Sequence, residues 1–144
     1  MAITASGLYC LTFKDILGND TAIDVLADTI KAALINNTHT PNFDTDTGWN
    51  STNEVGTPSG GVALTSPTLT VSSGSLVFDA ADTAWGSQTM SGIRACRIYD
   101  ATITTPTASP MLCLVNFGSD YSVSSGVLTI QWAAGGIFSV DLTP

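Results

Sequence analysis

Charge is what this sequence has least of. Only 11% of its 144 residues are Asp, Glu, Lys or Arg, against roughly 25% in an average soluble protein. Cations are the scarcest: Lys14, Lys31, Arg94 and Arg97 face twelve acidic residues, for a net charge of -8. Duplex nucleic acid is held by neutralising phosphates with Lys and Arg, and anionic membrane surfaces by basic patches. The balance argues against nucleic acid and membrane as partners. Long apolar runs are missing as well, since no stretch approaches the roughly 18 residues needed to cross a bilayer. Residues 1–20 hold no basic stretch leading into an apolar one, so no secretory signal is expected and synthesis in the cytoplasm is. Cysteine occurs three times, at Cys10, Cys96 and Cys113, an odd and widely spaced set. Reduced, buried thiols are the expected state of Cys96 and Cys113; a disulfide between them would require their strands to pair.

What is present is apolar and hydroxyl-rich. The hydrophobic fraction is 44%, too high for a disordered chain, and 144 residues can bury a core without metal or disulfide staples. Ser and Thr take over the surface that charged residues leave. Such a surface loses less on burial against a partner than a Lys/Glu surface does.

Patterning points to one mainly β domain over residues 1–144, a sandwich or open barrel of short, largely antiparallel strands with one short N-terminal helix. Leu8, Leu11, Phe13, Ile16 and Leu17 follow helical spacing, and Gly18-Asn19 supplies a stop, so residues 1–20 read as an arm with a helix over 7–19. Residues 22–37 stay open between a helix with Ile23, Leu26 and Ile30 on one face and a strand over 28–36. Residues 38–61 are rich in Thr, Asn, Asp, Gly, Ser and Pro, a long polar loop whose large apolar groups, Phe43, Trp49 and Val55, would pin it to a surface. From Val62 onward the pattern is β throughout. Leu69-Thr70-Val71 and Leu76-Val77-Phe78 flank the turn Ser72-Ser73-Gly74 as a hairpin. Asp79 to Asp82 make a corner that continues to Trp85. Residues 93–99 alternate. Residues 111–117 form a near-continuous apolar run, expected to be a central strand covered on both faces. Gly118-Ser119-Asp120 reads as a turn, and residues 127–132 and 137–142 as the closing strands.

Catalytic kits are incomplete. His39 is the single histidine and sits in a polar turn, with no nucleophile-elbow pattern among the serines to face it. A solvated loop histidine is the plain reading. Asp44 and Asp46 lie in an Asp-x-Asp-x-Gly segment with the look of a calcium loop. The EF-hand pattern fails there, because Trp49 stands where Gly is needed and Glu54 falls one residue short of its ligand position. They are metal candidates set against an Asx turn. Asp79, Asp82 and Asp100 read as turn caps rather than a hydrolytic pair. Gly60-Gly61 and Gly135-Gly136 lack the lysine of a phosphate loop. Arg94 and Arg97 fall on opposite faces of one strand, each in need of a carboxylate. Trp85 and Trp132 read as core, whereas Trp49, in the polar loop, is the tryptophan to test for a partner contact. No cofactor and no enzymatic activity are expected.

Several stretches together carry a resemblance. In order they are Asp28-Thr29-Ile30-Lys31 with Ala33-Leu34; Asn53-Glu54-Val55; Trp85; Arg94-Ala95; and Arg97-Ile98-Tyr99-Asp100. Val115-Asn116-Phe117-Gly118, Leu128-Thr129-Ile130-Gln131-Trp132 and Gly136-Ile137 complete the set. Over roughly residues 23–142 this order resembles a family of small structural proteins of tailed bacteriophage particles, described as head decoration (cement) or minor virion proteins. Ala32-Ala33 departs from it where a β-branched residue is expected. The resemblance implies a non-enzymatic virion protein on the capsid surface, a homo-oligomer whose partners are the major capsid protein or other virion subunits. A head–tail connector or tail component is the alternative, and a carbohydrate- or receptor-binding module the second. Interface candidates are Leu8, Thr40, Phe43, Trp49, Asn53, Glu54, Arg94 and Arg97.

Overall fold

Residues 28–36 contain a strand, not the helix that the spacing of Ile23, Leu26 and Ile30 also allowed, and the rest of the architecture is arranged around it. A computed structural model describes residues 2–143; Met1 and Pro144 of the expected domain lie outside the described residues. In chain order the elements are β1 (Gly7–Leu8), α1 (Cys10–Leu17), β2 (Ile30–Asn36), β3 (Val62–Ala63) and β4 (Thr68–Ser72). There follow β5 (Ser75–Asp79), β6 (Thr83–Asp100), β7 (Met111–Ile130) and β8 (Phe138–Asp141). The fold is mainly β, with 46% of residues in strands and 6% helical. One sheet has the order β1-β7-β6-β2-β3 and the other β4-β5-β8, and all pairs are antiparallel.

The larger sheet is covered on both faces, which is why β2 and the start of β7 are apolar at nearly every position. On one face Ile30, Ala32, Leu34, Cys96, Ile98 and Cys113 join Phe78 of the small sheet in a single core. The two sheets thus form a sandwich, and the edge-on contact of Phe13 with Phe138 closes α1 over it, ring centroids 5.9 Å apart. On the other face Ala33, Ile35, Ala95, Tyr99, Met111 and Leu114 lie beneath Ile3, Tyr9, Phe43 and Trp49. That cover is the N-terminal arm and the polar loop. Each such side chain taken fully out of water contributes about 1.5–3 kcal/mol.

The hairpin expected at Ser72-Ser73-Gly74 forms as β4–β5, with Ser72 opposite Ser75. Ser73 and Gly74 both have positive φ, 48° and 80°, the geometry of a two-residue turn that matches strand twist. Elsewhere the structure departs from the pattern. The helix begins at Cys10 rather than Gly7, because Gly7 and Leu8 pair with Leu114 and Cys113 of β7. A side chain at Gly7 would meet the Phe43 ring at 2.8 Å, so the glycine is what lets the loop close down. Gly118-Ser119-Asp120 is not a turn. Gly118 takes φ 79° and the strand runs on through it, so two expected strands are the single β7. Trp85 is likewise not at a corner but inside β6, 1% exposed. Two of the strands are therefore long, against the expectation of short ones, and they make one extended hairpin whose register shifts five times. Such bulges bend and twist the ribbon, letting its far half curl back onto the core.

Ala33 is small for a packing reason, and the backbone of Ala32 in turn requires glycine at position 61. Gly61 lies so close that a Cβ there would overlap the carbonyl oxygen of Ala32. Ala33 sits opposite Arg97 in the β2–β6 register, and small neighbours leave room for the guanidinium. Cys96 and Cys113 lie on neighbouring strands, both free and buried. Burial pushes both thiols well above their usual range, which keeps them protonated and unreactive.

Candidate functional site

The polar loop does not hang free. It is laid over the second face of the large sheet and tied there at intervals. Trp49 N–H donates to Ser109 O at 2.8 Å, Met111 N–H to Thr47 O at 2.9 Å, Val55 N–H to Leu34 O at 2.9 Å, and Cys10 N–H to Phe43 O at 2.8 Å. Glu54 accepts Gly60 N–H at 2.6 Å and the Ser59 hydroxyl at 2.9 Å, folding the end of the loop back on itself. Asn53 accepts the Thr38 hydroxyl at 2.6 Å and takes φ 69°, a backbone state that asparagine tolerates better than most.

Beneath the loop lies a polar cavity of about 230 Å³ lined by His39, Thr45, Asp46, Thr47, Gly48, Asn50, Arg97 and Met111. Arg97 forms its floor and is 1% exposed. The Trp49 ring covers the guanidinium at 5.6 Å, and itself stacks on Tyr99, centroids 5.0 Å apart and planes 9° from parallel. Arg97 Nε and Nη1 are buried without a hydrogen-bond partner, as are His39 Nε2 and Tyr9 Oη. A buried donor left unpaired costs about 1–3 kcal/mol, so three such atoms on two residues lining one cavity, with Tyr9 Oη beside Arg97, mark it out. Burial raises the Tyr9 hydroxyl to about 12, with the neighbouring Arg97 charge acting in the opposite sense. His39 is pushed below its ordinary value by burial first and by Arg97 second, while Asp46 pulls the other way. The imidazole is 3.7 Å from the Asp46 carboxylate.

His39 is therefore a half-buried wall of a cavity, not a solvated turn residue. No local pattern signals this, since its neighbours are polar and the residues it faces, such as Arg97, are remote in the chain. Asp44 and Asp46 belong to an Asx turn, in which Asp44 N–H donates to Asn42 Oδ1 and Asn42 N–H to Asp46 Oδ2. Among the described residues no group of three or more His, Cys, Asp or Glu side chains converges as a metal site would.

The interface candidates separate into two sets. Phe43, Trp49 and Arg97 come together in the second core cluster and its cavity, and Tyr9 lies 5.4 Å from Phe43. Asn53 and Glu54 hold the loop's own turns, and Leu8 is half-buried in β1. Thr40 is exposed. Arg94 is not on the far face from Arg97. The register shifts between Ile93 and Ala95, and Arg94 Nη2 donates to the carbonyl of Ile3 at 3.1 Å, on the side of the sheet where Arg97 lies. Its Nη1 pairs with Asp120 at 3.3 Å within the chain. Asp79, Asp82 and Asp100 accept the N–H groups of Ala80, Trp132 and Thr102 respectively, as turn caps do.

A second feature escaped the sequence entirely. The inner face of the small sheet extends past the edge of the large one. Between it and α1 opens an apolar groove of about 310 Å³, lined by Phe13, Ile16, Leu17, Ile23, Val25, Leu69, Leu76, Leu112, Phe138, Val140 and Leu142. Leu17 is 87% exposed and Leu142 69%. The sequence places Leu17 in a helix and Leu142 at the end of a closing strand, and nothing in either spacing marks them as uncovered.

Compared with protein-family models, with curated proteins and with solved structures, the chain matches none. No helix among the described residues is long and apolar enough to cross a membrane.

Proposed function

We propose that this chain is a non-enzymatic structural subunit of a tailed-phage particle, a head decoration protein that binds the outside of the capsid shell through protein–protein contacts. The observation that carries the reading is the open groove with its exposed leucines. Soluble monomers rarely leave large contiguous apolar patches in water, and those that do generally use them for association. The low charge and hydroxyl-rich surface support it, because little hydration is lost when such a surface is covered. The net charge of -8 keeps free copies apart and away from packaged nucleic acid. The particular setting comes from the resemblance of its ordered motifs to those of small virion proteins. Repeated over a symmetric shell, modest contacts add up by avidity without any chemistry.

The test is copy number in purified particles, by quantitative mass spectrometry against the major capsid protein. A count in simple ratio to the capsid subunit is expected. A count corresponding to a single ring would move the protein to the head–tail connector or the tail, and absence from particles would end the virion reading. In the same system Leu17→Asp and Leu142→Asp, which sit in the groove and out of the core, are expected to fold normally and to fail to sediment with heads. Little supports a sugar platform at Trp49, whose ring is occupied by Tyr99 and Arg97.

A further inference from the structure

Arg97 carries a full charge into the core, and among the described residues no carboxylate pairs with it, although the buried Tyr9 hydroxyl lies close enough to feel it. Among the described residues it makes no ion pair; the three that form are Lys14–Asp15, His39–Asp46 and Arg94–Asp120. Breaking one partner away from a buried charge costs about 3–5 kcal/mol, so a lone buried guanidinium is tolerated only where something supplies acceptors. Trp49 covers one face, which offsets part of the loss but leaves the in-plane donors Nε and Nη1 unpartnered. Asp46, across the cavity, does not fill the role. Its carboxylate takes the Asn42 N–H at 3.0 Å and faces His39.

The cavity gives these donors room to meet an acceptor. Arg97 and His39 line it together with Thr45, Asp46, Thr47, Asn50 and Met111, so nitrogen donors share the space with other polar residues and one apolar one. Its volume of about 230 Å³ is below that of sites for drug-sized molecules, roughly 300–1,000 Å³, and admits a ligand of few heavy atoms. The Asp46 carboxylate on the wall offsets part of the Arg97 charge, so the cavity favours a ligand of at most one negative charge and opposes a second.

We propose that this pocket binds a small free monocarboxylate, its oxygens accepting from Arg97 and His39 and its short carbon end resting on Met111. The site is independent of the groove and of the virion reading. A carboxylate oxygen suits the guanidinium because charge-assisted hydrogen bonds to Arg are the strongest available to it. The loop that covers the pocket is then held by the ligand as well as by Trp49, since anything bound only by the folded form stabilises it.

The test uses the full chain and nuclear magnetic resonance. Only two arginines are present, so the Arg97 Nε–H signal is assigned by its persistence in Arg94→Lys. Sodium acetate is titrated against sodium chloride at matched ionic strength, with acetamide as the uncharged isostere and inorganic phosphate as the dianion. A saturable acetate shift of the Arg97 signal is expected, with Arg94 unmoved and no response to acetamide. Asp46→Asn, a change in the loop, is expected to tighten acetate several-fold. Arg97→Met is expected to abolish the response, read there through the single histidine ring. An Arg97 signal indifferent to millimolar acetate overturns the proposal. So does an equal response to acetamide, a tighter response to phosphate, or weaker binding in Asp46→Asn.

Discussion

Replacing Trp49 by alanine separates a loop docked from within from one that presents its aromatic outward. Truncating a fully buried Trp costs about 3–5 kcal/mol, and the half-buried Trp49 would forfeit roughly half of that. The stacked pair with Tyr99 adds about 1 kcal/mol, and the cation–π contact with a desolvated Arg97 about 1 more. The backbone tie from Trp49 N–H to Ser109 O survives the change. A loss near 4 kcal/mol is expected, which for a chain of this length lowers the melting temperature by about 10 °C. Urea unfolding followed by far-ultraviolet circular dichroism is the assay, because tryptophan fluorescence would be altered by the substitution itself. Hydrogen exchange at the amides of Trp49 and Met111 should accelerate together, while that of β2 should not. Trp49→Phe should recover about half the loss by keeping the stack. A change below about 0.5 kcal/mol, the range of ordinary surface substitutions, would refute the docked loop and return Trp49 to the list of partner contacts.

Asp100 is wholly buried, and burial raises its carboxyl above the ordinary range, with Asp28 nearby adding to the rise. The folded chain thus favours the protonated form. Its contribution is present at acid pH and lost as pH climbs through the raised value. Asp100→Asn should therefore be more stable than the parent at neutral pH and indistinguishable in acid, measured by urea midpoints across the range. Tyr9 and Tyr99 are both raised from 10.0 to about 12 by burial. Stability they confer below pH 10 should fall away between pH 10 and 12, and phenolate absorbance should show two tyrosines ionising only as the chain unfolds. Gly61 has φ 72° and backs onto the Ala32 carbonyl. Gly61→Ala should cost at least the roughly 1–3 kcal/mol of backbone strain, with exchange protection lost first where β3 pairs with β2.

Much of the fold was legible because local patterning and burial agree. The run from Ile30 to Asn36 is apolar on both faces because two covers press on it, and Met111 to Leu114 read the same way for the same reason. The Ser73-Gly74 turn was legible because its backbone state demands such residues. The length of β6 and β7 was hidden by Gly118, a residue that in sequence says turn and in this sheet makes a bulge. The cavity was harder still. Arg97 sits in an alternating apolar stretch of a chain with four cations, which is a signal for a purposeful charge. Yet the residues that enclose it, Tyr9, His39, Asp46 and Trp49, are brought by chain segments far away. Short polar neighbours said solvent at His39, and only the pinned loop makes it a wall. The exposed leucines of the groove are no easier to find, since nothing in the spacing of Leu17 or Leu142 marks them as uncovered.

The extended β6–β7 hairpin also bears on the order in which the chain assembles. Its strands are joined by the short segment 101–110, whereas β1 reaches β7 from nearly the other end of the chain. Loop-closure entropy grows with the logarithm of the enclosed length, so a tenfold longer loop adds about 2 kcal/mol before any contact is returned. The ribbon can therefore zip first, from its connection outward, and present a ready template on which β2 docks from one side and the N-terminal arm from the other. On this ordering the arm and loop that roof Arg97 are expected to close last, with the charge in water until then.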